Sequence, residues 1–172
     1  VSHGDDIVQG GAGNERIIGG AGADTLSGNG GDDHLEGGSG ADTLYGGAGA
    51  DTLIGGSEGD RLEGGEGDDV LEGGAGVDQL LGGAGDDVYR VAGRDDLVGD
   101  TITDTSGTQD KIEYTGDDRL RVTQFAGDNG IDIIDANERS IVGSGADDNL
   151  NFSNVTFADN NQVIDADAGD DV

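Results

Sequence analysis

The sequence predicts an all-β chain wound as a solenoid of stacked parallel strands. Three observations carry that expectation. From Val1 a nine-residue phrase, Gly-Gly-x-Gly-x-Asp-x-Leu-x, keeps its register through ten copies to Arg90 without insertion. In every copy an acid stands at the sixth place and an apolar or aromatic residue at the eighth. Composition excludes an ordinary core: the 172 residues include 37 Gly and no Pro, Cys, Met or Trp, and aromatics are 3%. On composition alone such a chain would be disordered, but repetition at a fixed period is the mark of a solenoid.

The phrase is cleanest in Gly37 to Ile54, GGSGADTLYGGAGADTLI. Its first six places are expected to turn, because glycine permits positive φ and close backbone approach. Its last three are expected to form a short strand with the eighth side chain inward. The eighth places are Val8, Ile17, Leu26, Leu35, Leu44, Leu53, Leu62, Leu71, Leu80 and Tyr89, and their neighbours are polar in the manner of an outer face: Arg16, Thr25, Glu36, Thr43, Thr52, Arg61 and Glu63. Two turns and two strands bring the chain back to its start, so one coil takes two repeats. Repeat n then stacks on repeat n+2 at the ~4.8 Å strand spacing, and the repeats together make a rod of roughly 24 Å. An eroded further repeat, Val91 to Gly99, keeps Asp96 and Val98.

Stacking sorts the sixth-place acids into two ladders. One holds Asp6, Asp24, Asp42, Asp60, Asp78 and Asp96; the other holds Glu15, Asp33, Asp51, Asp69 and Asp87. Like charges repeating near ~5 Å are costly unless cations lie between them. Carboxylates and turn carbonyls form an oxygen-only donor set, which suits Ca²⁺ rather than zinc or copper, and Ca²⁺ rather than Mg²⁺, which keeps its water. Counting gaps between rungs gives about nine ions at most. One inward apolar side chain per nine residues is too little burial to order so much glycine, so metal binding is expected to be the folding step.

The net charge of −30, from 38 acids and 8 bases, excludes nucleic acid and anionic membrane surfaces as partners and points to cations. About nine calcium ions would bring that charge to about −12. The absence of Cys excludes disulfides and thiolate metal sites. No apolar run approaches the ~18 residues of a membrane span. The first residues carry no leader pattern, and the chain reads as a piece of something longer.

The phrase Gly-Gly-x-Gly-x-Asp-x-apolar-x resembles the nonapeptide of the RTX, or haemolysin-type, calcium-binding repeat family. The resemblance covers residues 1–99. It implies a right-handed parallel β-roll with calcium between stacked turns. It also implies the ligands: the sixth-place residues Asp6, Glu15, Asp24, Asp33, Asp42, Asp51, Asp60, Asp69, Asp78, Asp87 and Asp96, and backbone carbonyls of the turn glycines. Those glycines stand at places two (Gly11, Gly20, Gly38, Gly47, Gly56, Gly65, Gly74 and Gly83) and four (Gly13, Gly22, Gly31, Gly40, Gly49, Gly67, Gly76 and Gly85). Family members are typically exported unfolded by a type I secretion apparatus and fold in external calcium, so the resemblance implies a secreted or surface protein. It also suggests an alternative setting, an accessory module of a secreted lipase, protease or alginate epimerase. Four departures stand out. Glu15 is one methylene longer than Asp, and Asn29 replaces a place-two glycine, tolerably because asparagine accepts left-handed φ. Glu58 replaces a place-four glycine, with Gly59 expected to absorb the turn. Arg94 occupies place four of the eroded repeat.

From Asp100 the beat stops and β-branched residues rise, as in Thr101-Ile102-Thr103, Lys111 to Tyr114, Leu120 to Phe125, Ile131 to Ile134 and Asn154 to Phe157. These alternate as strands do. Residues 100–172 are therefore expected to continue as longer, less regular coils, or else to cap the open end of the roll as a β-rich segment. The run Asp148 to Phe157 resembles long repetitive bacterial surface proteins, which raises an adhesin-like, ligand-binding role for the segment.

No catalytic constellation is expected. Gly55-Gly56-Ser57-Glu58-Gly59 matches a nucleophile elbow in letters, yet it lies in phase within the repeat, and both His3 and His34 precede it. His34 is expected on the outer face. Paired acids such as Asp32-Asp33, Asp68-Asp69 and Asp86-Asp87 recur too often for a catalytic pair; the first of each is expected to add charge facing the metal. Asp165 to Asp170 lacks the closing Glu of an EF-hand loop and reads as another nonapeptide beginning.

Overall fold

The computed structural model describes residues 3–92, 97 and 99–116, and beyond them 120–121, 124–125, 131, 133–135, 141–142, 149–150, 156–157 and 164–165. Among the described residues every element is a strand. In order they are β1 (Ile7–Gln9), β2 (Arg16–Ala21), β3 (Thr25–Gly30), β4 (His34–Ser39), β5 (Thr43–Ala48), β6 (Thr52–Ser57), β7 (Arg61–Glu66), β8 (Val70–Ala75), β9 (Gln79–Ala84), β10 (Val88–Val91), β11 (Thr101–Thr103) and β12 (Lys111–Tyr114), followed by shorter pieces. Among the described residues no helix is long and apolar enough to cross a membrane.

Successive strands fall on opposite sides of a solenoid. Odd strands stack as β1-β3-β5-β7-β9-β11 and even strands as β2-β4-β6-β8-β10-β12, the latter continuing through Ile133–Asp135 and Thr156–Phe157. All pairs are parallel and in step, Leu26 beside Leu44 and Leu35 beside Leu53. Each coil therefore takes two repeats, as the phrase requires. The eighth-place residues from Leu26 to Tyr89 are buried in one unbroken stack, with Ile17 at its start.

The strands are longer than the sequence suggests. Each regular strand has six residues and runs from place seven through place three of the next repeat. The turn is thus only places four to six, not the first six. Burial alternates along the strand, so place one faces inward together with place eight. Place one is glycine for want of room rather than for its φ. A Cβ on Gly37 would strike the Asp42 carboxylate and the Gly55 carbonyl of the next coil. Places two and four need glycine twice over. Gly38 and Gly40 have φ of 118° and 114°, and a Cβ on either would fall on the carbonyl of Gly20 or Gly22 in the preceding coil.

Asn29 takes φ 77°, as its chemistry allows. At the other exception it is Glu58 itself, not Gly59, that adopts the left-handed conformation, with φ 74°. Its carboxylate compensates by accepting hydrogen bonds from the Gly40 N–H (2.8 Å) and the Ser57 hydroxyl (2.9 Å). That hydroxyl is thereby engaged with the acid that follows it in the same repeat. His34 lies half-buried on β4 in the ladder between Arg16 and Thr52.

Beyond the repeats the coils lengthen to 22 or 23 residues, but parallel pairing persists. Thr101 pairs with Gln79, Lys111 with Val88, Ile133 with Lys111 and Thr156 with Ile133. Ile102 stands beside Leu80, and Ile112 beside Tyr89, so the inward ladder continues through residues off the nine-residue beat. Val98, Arg94, the run from Ala166 to Asp170 and most of Asp148 to Phe157 lie outside the described residues.

Candidate metal centre

The sixth-place acids are where the fold concentrates buried charge. Asp24, Asp33, Asp42, Asp51, Asp60, Asp69, Asp78 and Asp87 are at most 3% exposed. Each sits just before a strand, so its backbone is pinned by the ladder: the Thr43 N–H donates to the Asp24 carbonyl and the Thr52 N–H to the Asp33 carbonyl, both at 2.8 Å.

Their side chains form the two expected rows. In the first, the Asp6 N–H donates to Asp24 Oδ1, Asp24 to Asp42, Asp42 to Asp60 and Asp60 to Asp78, at 2.7–2.8 Å. In the second, Glu15 donates to Asp33, Asp33 to Asp51, Asp51 to Asp69 and Asp69 to Asp87, also at 2.7–2.8 Å. From Asp24 and Asp33 onward, one oxygen of each rung is thus anchored to backbone one coil earlier. The other is not. Oδ2 of Asp6, Asp24, Asp33, Asp42, Asp51, Asp60, Asp69 and Asp87 is sealed from solvent and has no hydrogen-bond partner. A buried carboxylate oxygen without a partner costs several kcal/mol. A column of them is a set of hard donors lacking an acceptor, and a divalent cation is what fits.

Electrostatics agree. Burial pushes the carboxyl groups of Asp60, Asp69 and Asp87 up to about 7, and neighbouring acids add to the rise: Asp78, Asp42 and Glu58 around Asp60; Asp87, Asp51 and Asp68 around Asp69; Asp104 and Asp110 around Asp87. Burial raises Asp42 and Asp51 as well. Without counter-ions these groups resist ionisation at neutral pH.

The structure extends both acid rows beyond the repeats. Asp96 lies outside the described residues, and the rung expected there is taken by Asp100, whose Oδ1 accepts from the Asp78 N–H at 2.8 Å. Asp110 does the same for Asp87. Neither was legible from the beat, because each follows a lengthened coil. Place-one glycines were also missed. A Cβ on Gly19, Gly28, Gly46, Gly55 or Gly64 would meet both the Oδ2 of the aspartate five residues on and a glycine carbonyl of the next coil. The orphan oxygen therefore faces place-one carbonyls, Gly37, Gly46, Gly64, Gly73 and Gly82. The carbonyls of places two and four point toward the same places of the following coil. At the end of the regular roll the Gly83 carbonyl accepts from the Thr105 and Ser106 hydroxyls at 2.7 and 3.3 Å.

Glu15 departs from its row. Its Oε2 turns back to accept from the Gly11 N–H of its own turn at 2.9 Å. The fifth-place acids do not face the buried column. Asp32 and Asp68 are exposed rim groups whose Oδ1 atoms accept from the Ala50 and Asp86 N–H groups at 3.1 and 2.9 Å. They cap turns.

Comparison with known proteins follows the same boundaries. Residues 3–26, 27–58 and 54–89 match the family described as RTX calcium-binding nonapeptide repeat (4 copies). No curated protein and no solved structure matches the chain.

Proposed function

The chain belongs to the RTX calcium-binding nonapeptide repeat family, and on that premise we propose that residues 1–99 are a non-catalytic module whose folding is switched on by calcium. The single observation that carries this is the double row of sealed, partnerless Asp Oδ2 atoms. These residues would hold the ions with one free carboxylate oxygen each, completed by glycine carbonyls of the adjacent coil. The ion supplies the positive charge that the rows lack, and the protein supplies a fixed cage. Extracellular modules bind at ~10⁻⁴–10⁻³ M, so the calcium gradient across a cell envelope is itself the switch. We assign the module to a secreted or surface-exposed bacterial protein, exported unfolded. Residues 100–172 form a second, less regular segment of it.

The test is far-UV circular dichroism across a calcium titration. The β signal appears cooperatively in the millimolar range and vanishes reversibly on chelation. A native-like spectrum in excess EDTA would sink the proposal.

A further inference from the structure

Where the regular repeats end, the donor set changes. In the interior, the place-one glycines from Gly19 to Gly64 lie against one aspartate Oδ2 and one neutral carbonyl of the next coil, as Gly64 does with Asp69 and Gly82. Gly82 is different. A Cβ there would meet Asp87 Oδ2, Asp104 Oδ2 and the Tyr89 hydroxyl. A carboxylate from outside the repeats has taken the carbonyl's place.

Asp110 completes the group. Asp87, Asp104 and Asp110 are 0%, 9% and 2% exposed. Each offers one oxygen, and those oxygens lie within 4.8 Å of one another. Donors at ~2.3–2.6 Å from one calcium ion can be no farther apart than about 5 Å, and the ion takes 6–8 oxygens. The carboxylates are also held ready. Asp87 Oδ1 accepts from the Asp69 N–H and Asp110 Oδ1 from the Asp87 N–H, both at 2.8 Å. Asp104 is held by the Tyr89 hydroxyl on Oδ2 (2.6 Å) and the Ser106 N–H on Oδ1 (3.3 Å). Tyr89 itself accepts from the Gly82 N–H at 2.8 Å, so its hydroxyl proton is directed at Asp104. Asp87 Oδ2 is sealed from solvent, receives no hydrogen-bond donor and is directed at this point. Three buried carboxylates of like charge in so small a volume are costly without a cation.

We propose that Asp87, Asp104 and Asp110 form a separate terminal cation site, richer in charge than the repeat sites and selective for a hard, oxygen-seeking ion such as Ca²⁺. It rests on the calcium reading of the roll but adds a ligand, Asp104, that no repeat place supplies. It closes the end of the second ladder, and it fills at lower free calcium than the interior.

Two experiments on the full chain decide it. In equilibrium dialysis with calcium, Asp104→Asn keeps the shape and the bond from Tyr89 but lowers the affinity of one site at least tenfold, the others being unchanged. In a titration with Tb³⁺, emission sensitised by tyrosine falls most in Tyr89→Phe, far more than in Tyr45→Phe or Tyr114→Phe, and calcium displaces it. Should Asp104→Asn fail to fold, as judged by circular dichroism in saturating calcium, Tyr89→Phe retains all three carboxylates and still decides. Wild-type calcium binding with no change in Asp104→Asn, or full Tb³⁺ emission in Tyr89→Phe, overturns the terminal site alone. Absence of any calcium binding by the wild type overturns the reading of the whole roll.

Discussion

The interior coils and the coil that follows them solve one problem with different sequences. Between Asp24 and Asp87 each rung lies 18 residues from the last. At Asp100 and Asp110 the spacing becomes 22 and 23, yet the same bond from backbone N–H to carboxylate forms at 2.8 Å. What the fold conserves is the rung, and the period is only the shortest way to supply it. Extra residues are absorbed between strands, where they cost little more than loop entropy. The ends also relax the steric rules. Gly47 has φ 121° and sits against the Asn29 carbonyl, whereas Gly11, in the same place of the first complete repeat, has no positive φ, and a Cβ there would meet only Glu15 Oε1 at 3.8 Å.

The contrast between interior and ends can be tested in descending order of effect. Leu53→Ala, in the middle of the buried stack, is expected to destabilise the calcium-loaded roll by about 2–5 kcal/mol. Ile102→Ala, on the partly buried flank, should cost clearly less in the same urea titration. Equal losses would mean that the first longer coil is packed as tightly as the repeats. Next, Gly47→Ala should cost about 1–3 kcal/mol from left-handed strain and overpacking. Gly11→Ala should be near neutral by thermal melting, and a large loss there would show that the first turn is as crowded as the interior.

Calcium affinity gives a third comparison. Asp51→Ala removes a buried rung and should abolish at least one site by titration calorimetry, while Asp32→Ala removes only a turn cap and should leave the stoichiometry intact. Equal effects would reassign the ligands to the fifth place.

The pH response of the interior follows from the raised carboxyls. Burial pushes the carboxyls of Asp60, Asp69 and Asp87 up to about 7 in the fold, against 3.8 in a free chain. Their protonated forms favour the calcium-free fold, a contribution fully present below about pH 4 and lost as pH rises through about 7. With chelator present, residual β structure should therefore be greater at pH 5 than at pH 8. With calcium present the slope reverses, because protons compete for the same oxygens, and affinity should fall as pH drops below 7. A pH-independent affinity would remove these carboxylates from the coordination shell. Smallest of all, Arg16→Ala breaks an exposed pair with Glu36 at 3.2 Å and should change the midpoint of melting by less than the equivalent of about 1 kcal/mol.

Much of the architecture was legible in the letters. A period of nine with an acid at six and an apolar residue at eight dictated two strands per coil, the inward leucine stack and both acid rows. Each of these is a local demand that recurs in every copy. The length of the strands was not legible, since glycine's weak strand preference hides that places one to three continue β4 or β5. The role of place-one glycine was hidden too, because its reason is a carboxylate five residues on and a carbonyl one coil away.

By itself, then, the sequence determined the solenoid, its two-repeat coil and the oxygen-rich, acidic character of its turns, because those follow from side-chain chemistry repeated in phase. Only the tertiary structure decided which acids are buried without partners, that Asp100 and Asp110 carry the rows onward, and that Asp104 joins Asp87 and Asp110 beneath Tyr89. Those are juxtapositions between coils, and once the spacing stops being constant no count along the chain can locate them.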